Sequence, residues 1–144
     1  MTEANTTTPA APLDDHAVRA LLQRAGRVTV VGLSTRPTRD SHRVATYLRD
    51  VAGYEVIGVN PGADHIDGFA LGDLQGIEPL GIVDVFRASE HVSGVVDAVI
   101  ERRPLAIWLQ LGVRDEAAEF RAREAGIPVV TGECLMVAHR RLLG

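Results

Sequence analysis

The chain has 144 residues, the size of a single domain. Hydrophobic residues make up 46% and charged residues 24%, too apolar a balance for wholesale disorder. Fifteen basic against 19 acidic residues leave a formal charge of −4, so the broad basic face of a nucleic-acid binder is not expected. All fifteen basic residues are Arg; with no Lys, Schiff-base chemistry and a P-loop lysine are excluded. The single Cys rules out an internal disulfide and a multi-cysteine zinc site, and suits a reducing, cytoplasmic setting. No apolar run approaches the ~18 residues that cross a membrane. Met1 to Pro12 lacks the basic and apolar regions of a secretory signal. Residues 1–13 read as a loose tail before one domain over 14–144.

Asp14 or Asp15 caps a first helix running to about Ala25, with Val18, Leu21 and Leu22 at helical spacing. Val28 to Leu33 is a short β-branched run, read as a buried strand. Ser41 to Val51 is helical and Gly53 stops it. Glu55 to Val59 is a second strand, closed by the turn Asn60-Pro61-Gly62. Ala63 to Leu80 is irregular, with one short strand near Phe69 and a helical turn near Asp73. Gly81 to Phe86 is a strand, Ser89 to Arg103 a helix ended by Pro104, and Leu105 to Leu109 a strand. Asp115 caps a helix to Ala125, Ile127 to Val130 is a strand, and Leu135 to Leu143 is the last helix.

Strands that are continuously apolar and alternate with helices predict a doubly wound α/β fold. We expect a five-stranded parallel sheet, order 3-2-1-4-5, with helices on both faces. Such sheets bind ligands beyond the carboxyl ends of their strands, here at the switch between strands 1 and 4. The loops after Val31, Val59, Val85, Leu109 and Val130 are therefore the places to look.

The first loop, Gly32 to Ser41, joins a strand to a helix N-terminus, where backbone N–H groups and the helix dipole favour an anion. Ser34 to Arg49 holds four Arg and one Asp, a local +3 in an acidic protein. A phosphate site fits this better than a merely capped, exposed helix start. The loop is a poor dinucleotide fingerprint, because Ser34 and Pro37 stand where GxGxxG has its second and third Gly. Asn60 also stands where a ribose-binding acid belongs. NAD is disfavoured on both counts. NADP stays open, since Arg36 or Arg39 can meet a 2′-phosphate.

Several segments, in this order and spacing, resemble one family. They are Val30-Val31-Gly32-Leu33-Ser34, then Pro37, Arg39 and Ser41, then Val59-Asn60-Pro61. Asp84-Val85-Phe86-Arg87, Trp108 to Val113, and Cys134-Leu135-Met136 with His139 follow. The chain resembles the CoA-binding domain proteins. These are small Rossmann-type proteins similar to the CoA-binding domain of the succinyl-CoA synthetase alpha subunit. The resemblance implies coenzyme A, or an acyl-CoA, as ligand. It implies that Gly32, Leu33, Ser34, Arg36, Arg39 and Ser41 hold the diphosphate. Asn60, Pro61, Val85, Phe86 and Arg87 would border the adenosine, and the groove toward Gln110 and Gly112 would take the pantetheine.

The chain departs from that family at three points. Gly62-Ala63 replaces a Lys after the strand-2 turn, which leaves a 3′-phosphate to Arg36 or Arg39. The second domain that carries the synthetase phosphohistidine is not among these residues. Ala138 stands before His139 where the family often has an acid.

Cys134 follows strand 5 on the ligand edge. It can meet the CoA thiol in a mixed disulfide, but the preferred reading is a small buried hydrophobe at a helix start. His139 reads as a surface or helix-end residue, Trp108 as core, and Arg102-Arg103 as complements to a helix dipole. His42 can add charge near the phosphate. No catalytic constellation and no metal set is visible. Three readings stand: a stand-alone CoA-binding carrier, sensor or regulator; an NADP-dependent oxidoreductase; and the CoA-binding subunit of a split acyl-CoA ligase. No nucleic-acid or membrane partner is expected, and a protein partner or a second copy of the chain is left open.

Overall fold

Short apolar strands that must bury both faces need helices above and below. The structure, a computed structural model describing residues 8–144, meets that need with one parallel sheet. The strands are β1 (Arg27–Val31), β2 (Glu55–Val59), β3 (Ala70–Leu71), β4 (Ile82–Val85), β5 (Ala106–Leu109) and β6 (Val129–Val130). Their order is β3-β2-β1-β4-β5-β6. The helices are α1 (Asp15–Arg24), α2 (Asp40–Asp50), α3 (Val92–Val99), α4 (Glu116–Glu124) and α5 (Leu135–Leu143). This is a Rossmann-like α/β architecture.

The count of five strands is corrected to six, and the order 3-2-1-4-5 holds in its numerals but with a shifted assignment of residues. The added strand is β3, a two-residue piece beside Ile57 and Gly58. It takes the outer place next to β2, so the run from Gly81 to Phe86 supplies the fourth strand rather than the third. That strand pairs with β1, and the switch point lies between them. Two residues are too few to show a strand period. The helical turn near Asp73 is present, with Gly76 and Ile77 N–H donating to the Asp73 carbonyl at 2.9 and 3.0 Å. The single helix expected over Ser89 to Arg103 is α3 flanked by 3-10 turns at Ser89–His91 and Ile100–Arg102.

Alternation along the strands divides the core in two. Val28, Val30, Ile82, Ala106 and Trp108 face α1, α2 and α5. Val31, Val83, Val85, Ile107 and Leu109 face α3 and α4. Each large side chain buried this way contributes roughly 1.5–3 kcal/mol. Asp14 caps α1 by accepting from Ala17 N–H at 2.8 Å, and Asp115 caps α4 through Ala118 N–H at 3.0 Å. Trp108 is core, as expected, and its Nε1–H donates to the Glu133 carbonyl at 2.7 Å.

Two buried polar groups depart from expectation. His139 is not a surface residue: it lies under α2, its Nδ1 2.8 Å from the Tyr47 hydroxyl, and burial lowers its pKa. The apolar stripe of α5 that faces the sheet carries it inward. Asp84 sits between Val30 and Trp108 on the same sheet face, fully buried. Neither carboxyl oxygen has a partner among the described residues, and burial pushes its pKa well above the ordinary 3.8.

The loose tail expected over 1–13 lies outside the described residues as far as residue 7. Beyond it, Ala10 N–H donates to the Arg123 carbonyl at 2.7 Å, and Leu13 packs on the first core layer. Among the described residues no helix is long and apolar enough to cross a membrane.

Candidate functional site

The loop after β1 is anchored before it can bind anything. Gly32 adopts φ +90°, and a Cβ there would stand 2.6 Å from the Phe86 carbonyl oxygen and 3.0 Å from Arg87 Cδ. Only glycine lets the chain turn so close to the end of β4. Leu33 is fully buried and occupies space that Gly58 leaves open on β2; a Cβ at 58 would lie 2.4 Å from it. The Leu33 carbonyl accepts from Asn60 Nδ2 at 2.9 Å, while Asn60 Oδ1 accepts from Gly62 N–H at 3.0 Å. Asn60 thus braces two loops and offers no carboxylate to a sugar.

The tip is held in a similar way. Ser34 N–H donates to Ser41 Oγ at 2.9 Å, and Arg36 N–H to Ser34 Oγ at 3.0 Å. Arg39 is the N-terminal flanking residue of α2, with extended backbone and an exposed side chain. An anion placed here meets the positive end of the helix dipole.

Three cavities meet at Phe86, along the carboxyl ends of the strands. One of 430 Å3 is lined by Gly32, Ser34, Thr38, Arg39 and Ser41. A second of 430 Å3 reaches Leu33, Asn60, Pro61 and Arg87. A third of 520 Å3 runs past Arg43 and Arg87 to Gln110, Leu111, Cys134 and Met136. A fourth of 360 Å3 continues beyond Asn60 and Pro61 toward Asp73. Together they form one groove across the switch point. Gln110 closes its far side: it is 8% exposed, and its Oε1 accepts from Leu135 N–H at 3.2 Å. Arg39 and Arg87 have no acidic partner among the described residues, whereas Arg43 is paired with Asp40.

Of the thirteen residues singled out from sequence, ten line this groove: Gly32, Leu33, Ser34, Arg39, Ser41, Asn60, Pro61, Phe86, Arg87 and Gln110. Arg36 is exposed within the loop but outside the cavity linings, and Gly112 lies between two lining residues, Leu111 and Val113. Val85 is fully buried in the second core layer, so its side chain faces away from the groove. Cys134 is not a buried hydrophobe. It is half-buried on the wall of the third cavity, because it flanks the start of α5 rather than the apolar stripe within it. His42 lies edge-on to Phe69, 5.3 Å between ring centroids, not in the groove lining. Sequence reading missed Thr38, Asp40 and Val113, and did not place Arg43 and Met136 in the site. Asp40 and Arg43 had a readable signal, since residues three apart share a helix face. Met136 and Val113 had none, because only the topology brings them to this edge.

A family model described as the CoA binding domain matches residues 26–140. The chain belongs to the CoA binding domain family. The match runs from β1 into α5 and so takes in every element around the groove. The chain is 42% identical to protein YneT of Bacillus subtilis (strain 168) over 124 residues, 85% of this chain and 91% of that protein. Among solved structures it resembles cell-free ID.343 of Thermus thermophilus, with 38% identity and TM-score 0.82. That match covers 91% of this chain and all of the other. It also resembles a hypothetical protein of Pyrococcus horikoshii OT3, with 31% identity and TM-score 0.86, over 94% and 98% of the two chains.

Proposed function

We propose that this CoA binding domain protein holds coenzyme A or an acyl-CoA along the groove, as a stand-alone module that carries, senses or regulates. The observation that carries the reading is the meeting of three cavities at Phe86, with Arg39 and Arg87 in their walls and without acidic partners among the described residues. A diphosphate suits the anchored loop from Gly32 to Ser41, where helix dipole and guanidinium act together. The adenosine lies against Asn60-Pro61 and Phe86-Arg87. The uncharged pantetheine runs toward Gln110, Leu111 and Cys134, where apolar walls alternate with amide groups. The chain's own chemistry is to bind and orient. No acid, base or nucleophile is assigned to the groove, and we expect no turnover by the isolated chain.

One calorimetric series tests this reading: coenzyme A, acetyl-CoA, NADP and NAD against the full chain. Coenzyme A or acetyl-CoA should bind and NAD should not. NAD lacks the extra phosphate that the Arg-rich loop favours, and Asn60 gives its ribose diol no carboxylate. Tight NADP binding without a response to coenzyme A would favour the oxidoreductase reading and overturn this one. Binding of acetyl-CoA well above coenzyme A would assign the far cavity to an acyl group.

A further inference from the structure

A cavity larger than any of those along the groove lies at the opposite end of the sheet, among the turns that feed the strands, and measures about 720 Å3. That volume suits a small organic molecule. Proline and leucine side chains give it rigid apolar walls, with Pro79, Pro104 and Pro128 among them. Four arginines and two glutamates also line it. The glutamates are already taken: Arg27 pairs with Glu55 at 2.8 Å, and Arg102 with Glu78 at 2.9 Å. Two guanidiniums remain, Arg24 and Arg103, and neither has an acidic partner among the described residues.

Arg103 is held in a conformation that an arginine rarely adopts. Its φ is 51° and its ψ 64°, in the left-handed region, and it is the one non-glycine with positive φ among the described residues. It also precedes Pro104, and a following proline drives a residue toward extended backbone. Glycine would sit at this helix end without that strain. The one hydrogen bond of the Arg103 side chain, to the Ala125 carbonyl at 3.0 Å, lies at the surface and is a weak return. Strain kept at a cavity wall points to a side chain retained for a ligand.

We propose that this basal cavity binds a small organic anion, its phosphate or carboxylate held by Arg24 and Arg103 and its apolar body against the proline walls. The inference stands apart from the coenzyme A reading, because the two sites lie at opposite ends of the strands.

Amide NMR of the full chain, titrated with phenyl phosphate, phenylacetate and uncharged benzamide, tests it. Saturable shifts are expected at Arg24, Gly81 and Leu105 with an anion, and benzamide should bind at least about tenfold more weakly, the scale of one lost charge-assisted contact. Arg24→Ala, an exposed change that keeps the fold, should weaken the anion about tenfold. Arg103→Gly should do the same while holding or raising Tm, since glycine relieves the left-handed backbone. Shifts confined to the Gly32–Ser41 loop would overturn the site. So would benzamide equal to the anions, or affinities unchanged in both variants.

Discussion

At the end of the sheet where the strands begin, two of the four arginines that line the basal cavity, Arg27 and Arg102, work as staples. Arg27 holds Glu55 and the Pro79 carbonyl, and Arg102 gathers the carbonyls of Leu74 and Ile77 together with Glu78. At the end where the strands finish, Arg39 and Arg87 line an open groove with no acidic partner among the described residues. The difference comes from what the nearby backbone leaves unpaired. The irregular turn before β4 has carbonyls that no ladder takes up, and a guanidinium fork supplies donors in the right shape. In the loop after β1, Ser34, Ser41 and Asn60 bond the Ser34 and Arg36 N–H groups and the Leu33 carbonyl, so the Arg39 guanidinium is not drawn into holding the loop.

The largest test of this contrast is Arg102→Ala. It should cost about 2–3 kcal/mol of stability, the scale for losing hydrogen bonds to a charged group and orphaning their acceptors. The affinity for coenzyme A should stay unchanged. Urea denaturation beside calorimetry gives both numbers, and a loss of affinity in the folded variant would erase the distinction between the two ends. Arg39→Ala should show the reverse. It should weaken coenzyme A by about 1–3 kcal/mol, less for pantetheine, and leave stability within about 0.5 kcal/mol. Equal losses for both ligands would assign Arg39 to folding.

Asp84 lies between the two ends and is used by neither. Its folded pKa is raised by burial, so its contribution to stability is fully present below the ordinary value near 3.8 and is lost as pH rises through the folded value. Asp84→Asn should match the wild type at pH 4 and exceed it at pH 7, because at pH 7 the unfolded wild type releases a proton that the buried carboxyl keeps and Asn has none to release. Parallel stability curves at the two pH values would show that Asp84 finds a partner when charged. Cys134→Ser should have the smallest effect. A half-buried wall position predicts a stability change under about 1 kcal/mol and an unchanged coenzyme A affinity by calorimetry. Abolished binding in a folded protein would make the thiol part of the site.

The main strands and helices were legible because their apolar residues repeat at the spacing of buried elements, as in Val92, Val95, Val96 and Val99. β3 was not, since two residues carry no period. The loop after β1 stood out by position and charge, and four of its residues, Gly32, Ser34, Arg39 and Ser41, line one cavity. Val85 illustrates the limit. A strand's last residue can point into the core or toward the ligand edge, and register decides which. Asp84 hid inside an apolar run, because its neighbours read as strand whichever way it faced. His139 and Cys134 were misjudged because which face of α5 is covered depends on α2 and the third cavity, not on α5 alone.

The seat that Gly58 provides for Leu33 separates the binding loop into a fixed heel and an editable tip. The heel is set by a missing methyl group on a neighbouring strand, so its place in space does not depend on the residues at the tip. Thr35 to Arg39 are exposed and can change without disturbing that foundation. A larger residue at position 58 would displace the whole loop, because a Cβ there would stand 2.4 Å from Leu33, whereas rewriting the tip would alter only the charge and shape it presents to the groove. The fold thereby keeps the placing of the loop and the chemistry of its tip under separate control.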